Sequence, residues 1–165
     1  RIFEFLDEKP LVAEKADAIE LKDIQGKITF KDAEFSYDRK RKALNGINLE
    51  MKAGSRVALI GHTGSGKTTL ANLISRFYDC TAGEILIDGI NIKDVSLTSL
   101  REQISIVLQE TFIFSGTIMD NIRFGNPAAT DEEVIAAAKA VGADDFISRL
   151  TKGYETEVEE RGNIL

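Results

Sequence analysis

The run GHTGSGKT, from Gly61 to Thr68, constrains this chain more than any other stretch. It satisfies G-x-x-x-x-G-K-[ST], and its flanks supply the order of elements that the pattern needs. Before it, RVALI (Arg56 to Ile60) is a short apolar run that predicts a buried parallel strand. After it, Leu70, Leu73, Ile74 and Phe77 recur at three- and four-residue intervals, the apolar stripe of an amphipathic helix. Gly61, Gly64 and Gly66 let the backbone curl so that successive N–H groups converge on phosphate oxygens, with the helix N-terminus adding its partial positive charge. Lys67 offers a point charge to β and γ phosphates, and the Thr68 hydroxyl is placed to ligate Mg²⁺. A structural glycine turn is the competing reading of the bare pattern, and the flanks favour a nucleotide.

Composition narrows the class. The 165 residues are 43% hydrophobic and 29% charged, enough for a globular domain with a real core. A net charge of -6 argues against a surface that binds nucleic acid through bulk electrostatics. The basic run from Arg39 to Lys42 reads as a solvated loop. A lone Cys80 forms no internal disulfide and fits a reducing compartment. No apolar stretch approaches the roughly 18 residues that span a bilayer.

Beyond the glycine loop, KITFKDAEFSYD alternates at Ile28 and Phe30 and then changes phase to Ala33, Phe35 and Tyr37, which predicts a bulge or a change of strand. GEILIDGINI places two apolar runs around Asp88 and Gly89, a hairpin signal. Ile104 to Leu108 predicts a further buried strand leading into Gln109. TDEEVIAAAKAVGA predicts a helix with a capping box (Thr130, Glu133), an apolar face of Val134, Ala138 and Val141, and Gly142 as its stop.

These residues resemble one family: the ATP-binding domains of ABC transporters, in the exporter type where that domain follows a membrane domain on the same chain. Tyr37 in FSYD looks like the aromatic that stacks on adenine. GHTGSGKTTL looks like the Walker A loop, with Gly61, Gly64, Ser65, Gly66, Lys67, Thr68 and Thr69 as its ATP-binding residues. Gln109 in VLQETFIFSGTI resembles the Q-loop glutamine, which joins Thr68 at Mg²⁺. TEVEERG resembles the X-loop, so Glu157, Glu159, Glu160 and Arg161 are expected at the coupling helices of a membrane domain.

The resemblance implies an α/β fold: a P-loop NTPase core with an antiparallel β subdomain at residues 27–52 and 83–95, and a helical subdomain starting near Thr117. It implies residues 1–22 as a linker from a membrane domain. Residues 23–165 are then the first part of the ATP-binding domain, split into 23–116 and 117–165. The signature, the Walker B half of the core and the catalytic glutamate would follow Leu165. With Arg1 opening and Ile164-Leu165 closing the sequence, the expectation is a piece of a larger membrane protein. In that parent, ATPase activity would drive export from the cytoplasmic face, through head-to-tail pairing with an identical or sister ATP-binding domain. The piece itself would not turn ATP over.

Two other functions stand beside this one, a soluble P-loop kinase and a nucleotide-binding regulatory module without turnover. Asp88 and Glu110 each follow an apolar run as a metal-binding carboxylate would. Asp88 is trailed by Gly89, which favours a turn, and Gln109 holds the place a metal-binding Asp would take before Glu110. His62 fills a variable slot of the loop.

Overall fold

The phase change near Ala33 sets the shape of the sheet in the first half of the molecule. Strand β1 (Ile28–Phe35) buries Phe30, then Ala33 and Phe35, and its pairing slips between Phe30 and Phe35. It pairs with β2 (Leu44–Met51) throughout, so one strand bulges and does not give way to another. The extra residue is Asp32, at φ 45°. A bulge takes a residue off the ladder; here Asn48 Oδ1 accepts from the Asp32 N–H at 2.9 Å, and Asn48 Nδ2 donates to Asp32 Oδ1 at 2.6 Å. The neighbouring β3 (Ala82–Ile87) passes the bulge at Gly83, where a Cβ would stand 2.2 Å from the Asp32 carbonyl oxygen. Only glycine permits that approach.

The computed structural model describes residues 10–38, 40–108 and 112–159. The chain divides into two units, Arg1–Ser105 and Ile106–Leu165. In the first, the antiparallel sheet runs in the order β2-β1-β3-β4, where β4 is Ile90–Asn91. The β3–β4 hairpin turns at Asp88 and Gly89, both at positive φ (50° and 85°), as a two-residue hairpin requires. Helix α1 (Lys67–Ile74) follows the glycine loop and α2 (Leu97–Glu102) follows the sheet. Phe30, Phe35, Leu44, Leu70, Leu73, Ile85, Ile87 and Leu100 form the core of this unit.

A strap of residues 10–27 is tied to the unit along its length. Arg76 Nη2 donates to the Ala13 carbonyl at 2.9 Å, and Lys15 pairs with Asp94. Ile19 exchanges backbone bonds of 2.9 Å with Asp94 and Ser96, and the Leu21 N–H donates to Ser99 Oγ. Asp88 closes the strap: its carboxylate accepts from the N–H groups of Gln25, Gly26 and Lys27 at 2.7, 3.2 and 2.9 Å. Burial pushes its pKa up, but these three donors outweigh that and hold it below the usual carboxylate range.

Three expectations fail in this part of the chain and one, at Val141, in the second unit. Neither RVALI nor Ile104–Leu108 forms a strand: Ile60 is 94% and Val107 92% exposed. Apolar periodicity marks what wants burial, but a strand exists only with a neighbour on its ladder, and among the described residues none pairs with either run. Helix α1 stops at Ile74 because Arg76 turns left-handed at φ 51°, so Phe77 lies off its stripe and is 47% exposed.

In the second unit β5 (Gly116–Thr117) pairs with β6 (Glu157–Val158). Helix α3 (Ile118–Arg123) begins at a capping box between Thr117 and Asp120. Helix α4 (Asp131–Ala140) begins at the expected box between Thr130 and Glu133, and a short α5 (Asp144–Ile147) follows. Val134 and Ala138 are buried, while Val141 sits at the C-cap and is 80% exposed, off the apolar face. Ile118, Ala138, Ile147 and Val158 form this unit's core. Among the described residues no helix is long and apolar enough to cross a membrane.

Candidate functional site

Helix α1 leaves the glycine loop without a cap. Its N-cap is Gly66, no side chain accepts from the exposed N–H groups, and the first turn holds no acidic residue. A helix N-terminus carries orphan donors and about half a positive charge, so an end left this way is set up for an anion. Gly66 lies at φ 91°, and a Cβ there would stand 2.7 Å from Leu44 Cδ2 and 2.9 Å from the Ala43 carbonyl oxygen. The start of β2 therefore packs directly against the loop.

Lys67 curls back across the loop. Its ammonium donates to the carbonyls of Gly61 and His62 at 2.8 and 2.9 Å, and Ser65 Oγ lies 3.3 Å away. The Ser65 N–H donates to the His62 carbonyl at 3.2 Å, which closes the loop on itself. Thr68 is exposed beside Lys67, whereas Thr69 is buried.

Tyr37 stands over this loop from the end of β1 and is 56% exposed. Its hydroxyl is 3.1 Å from Thr69 Oγ1, and its ring meets Phe35 and Tyr78 edge to face at 4.7 and 5.2 Å between centroids. Tyr37, Ala43, Gly64, Ser65, Gly66, Lys67, Thr68 and Thr69 line one cleft of about 250 Å³. Beyond Tyr37 a hollow of about 360 Å³ continues past Asp38, Arg41 and Lys42. That rim is ordered by Asp38, which accepts from the N–H groups of Lys40 and Arg41 at 2.9 and 3.0 Å; the Arg41 donor foremost holds its carboxyl below the usual range.

The predicted loop residues from Gly64 to Thr69 and Tyr37 thus meet in one place, and Gly61 anchors Lys67 at the loop's other limb. Gln109, Glu110, Glu160 and Arg161 lie outside the described residues. Glu157 and Glu159 are exposed in the second unit, at β6 and just after it. Sequence reasoning missed Ala43 and Arg41 in the cleft walls. The signal was the short link from Tyr37 to Leu44, which can return to β2 only by passing the glycine loop.

The uncapped helix start, Lys67 and the Thr68 hydroxyl are groups that could hold a nucleotide with its metal. Among the described residues no group of His, Cys, Asp or Glu is arranged to hold a metal ion. A Mg²⁺ ion here would rely on the phosphates of a bound nucleotide for part of its coordination, with the Thr68 hydroxyl as the one described residue that could hold it. Asp88 is no rival, since its carboxylate is taken up by the strap.

Known proteins similar to this chain identify its family. The family model described as ABC transporter matches residues 44–158. The ABC transporter ATP-binding protein YknV of Bacillus subtilis (strain 168) is 68% identical over the whole chain, which covers 27% of that protein. The ATP-dependent lipid A-core flippase of Syntrophus aciditrophicus (strain SB) is 47% identical, again over the whole chain and 27% of its own length. The chain therefore spans little more than a quarter of these relatives. The solved structure of a bacterial Atm1-family ABC exporter with ATP bound superposes at a TM-score of 0.94, with 46% identity over 99% of this chain and 29% of that one. The chain has the P-loop ATPase fold in part, and it belongs to the ABC transporter family.

Proposed function

We propose that this chain is the first part of an ATP-binding domain that powers an exporter, and that Tyr37 and the loop from Gly61 to Thr69 hold its ATP. The observation that carries the reading is the uncapped start of α1, with Lys67 laid across the loop and an aromatic ring above it. The relatives' names, a lipid A-core flippase and putative multidrug export proteins, support export as the parent's task. Residues 1–22 serve as the linker from a membrane domain, and 23–165 divide into core and β subdomain (23–116) and the start of the helical subdomain (117–165).

Each residue then has a task that its chemistry permits. The backbone N–H groups of the loop and the ammonium of Lys67 bind phosphate oxygens, and the Tyr37 ring takes the base. Mg²⁺ would neutralise phosphate charge when bound; Thr68 would hold it, and Gln109 is the second ligand that we propose from the sequence. Glu157, Glu159, Glu160 and Arg161 face the coupling helices of the membrane domain. A second ATP-binding domain pairs head to tail with this one at the cytoplasmic face of a membrane. The parent hydrolyses ATP, while residues 1–165 alone bind without turnover, since binding that favours ground and transition states equally lowers no barrier.

Titration of the full-length protein with Mg-ATP tests the reading. Lys67→Ala removes a charge-assisted contact of about 1.5–3 kcal/mol, a loss of about tenfold to a hundredfold in affinity. Unchanged affinity in Lys67→Ala would sink it.

A further inference from the structure

Three aromatic rings meet beside the loop, and only one of them, Tyr37, lines the cleft with it. Phe35 is buried at the end of β1, and Tyr78 comes from the turn after α1; their centroids lie 5.3 Å apart, and both meet the Tyr37 ring at 86°. An exposed tyrosine ordinarily samples several rotamers. Here two rings hold the Tyr37 ring while the hydroxyl is bonded to Thr69 in the first turn of α1.

The turn that carries Tyr78 is itself fixed. Arg76 is 1% exposed, and its guanidinium donates to Asp79 at 2.9 Å and to the carbonyls of Ile92, Val95 and Ala13 at 3.1, 3.2 and 2.9 Å. Tyr78 thus sits between two residues joined by a part-buried ion pair, on a segment anchored at Arg76. A ring that is already ordered loses no rotamer freedom when a flat ligand lands on it.

We propose that Tyr78 is a positioning residue for the base of the bound nucleotide, holding the Tyr37 ring in the orientation that receives it. This rests on the assignment of Tyr37 as the stacking residue. The phosphate groups are held separately, by the loop and Lys67, so loss of Tyr78 has a selective signature: the base is felt, the phosphates are not.

The test compares binding of Mg-ATP and of magnesium tripolyphosphate to the full-length protein. Tyr78→Ala is expected to weaken ATP about two- to tenfold, the range of an aromatic pair contact, and to leave tripolyphosphate unchanged. Tyr78→Phe retains the ring and restores ATP binding. In a Tyr37→Ala background, Tyr78→Ala adds nothing, because the residue it acts through is gone. If Tyr78→Ala does not fold, Tyr78→Leu is read in the same way.

Equal weakening of both ligands would show general damage and overturn the proposal, as would a full additional loss on top of Tyr37→Ala. Normal ATP binding by Tyr78→Ala, with Tyr37→Ala impaired, overturns the positioning role alone. Normal ATP binding by Tyr37→Ala overturns the stacking assignment itself, and the role of Tyr78 with it.

Discussion

Replacing Arg76 by methionine keeps most of the side chain's volume and removes every donor it carries. The guanidinium is almost fully enclosed, with a side chain 2% exposed, while its partner Asp79 keeps 28% of its surface in water. The stranded carboxylate stays partly hydrated, which lowers the penalty for leaving it unpaired. The Ala13 carbonyl is only part-buried and can turn to solvent. The carbonyls of Ile92 and Val95 are buried and lose a charged donor each. At about 1–3 kcal/mol for each of the two buried acceptors left unsatisfied, the expected destabilisation is about 2–6 kcal/mol, with a smaller further cost at the partly hydrated Asp79. Urea unfolding of Arg76→Met against wild type measures it. A second readout is local: with Ala13 released, trypsin should cut sooner at Lys15 in the strap. Arg76→Lys keeps the charge but not the fork, and it should fall between the two. A midpoint for Arg76→Met at or above wild type, with Lys15 equally protected, would falsify the reasoning, because apolar replacements of buried ion pairs are sometimes stabilising.

Three further outcomes are expected. Asp88→Ala should cost about 1–3 kcal/mol by freeing the N–H groups of Gln25, Gly26 and Lys27. Because the folded pKa of Asp88 is lowered, its contribution is present above the ordinary carboxylate pKa and is lost as pH falls through the folded value, so the mutant should show a flatter acid limb in pH-dependent unfolding. Gly66→Ala should abolish Mg-ATP binding in a titration and destabilise by about 1–3 kcal/mol, since the new Cβ meets Leu44 and the Ala43 carbonyl at a positive φ. Burial first, then a hydrogen bond of 2.7 Å to Asp144, pushes the Tyr154 pKa up to about 12; its stabilisation is therefore complete below the ordinary tyrosine pKa and is lost as pH rises through about 12. Alkaline unfolding that is unchanged in Tyr154→Phe would count against this.

What the sequence disclosed and what it hid divide along one line. The loop, the phase change near Ala33, the Asp88-Gly89 turn and the Thr130–Glu133 capping box are local, each written in a few consecutive residues. Arg76 is the opposite case. Nothing in SRFYD distinguishes a solvated arginine from one bonded to the Ala13 carbonyl 63 positions away. The apolar runs at 56–60 and 104–108 failed for the same reason, since a strand is a relation between segments. Tyr37 was legible as a residue, but its bond to Thr69 and its contact with Tyr78 were not. Those depend on where α1 ends, and Arg76 decides that by turning left-handed.

The bare start of α1 sets stability against use. A carboxylate at the exposed position 68, in the first turn, would improve the helix by complementing its dipole, and a screen for thermal tolerance would reward it. The same charge would repel the phosphates that we propose the loop collects. A search of sequence space guided by folding free energy alone would therefore drift away from nucleotide binding at this spot. Thr68 marks a compromise: polar enough for the helix end, and neutral enough to leave the field open to an anion.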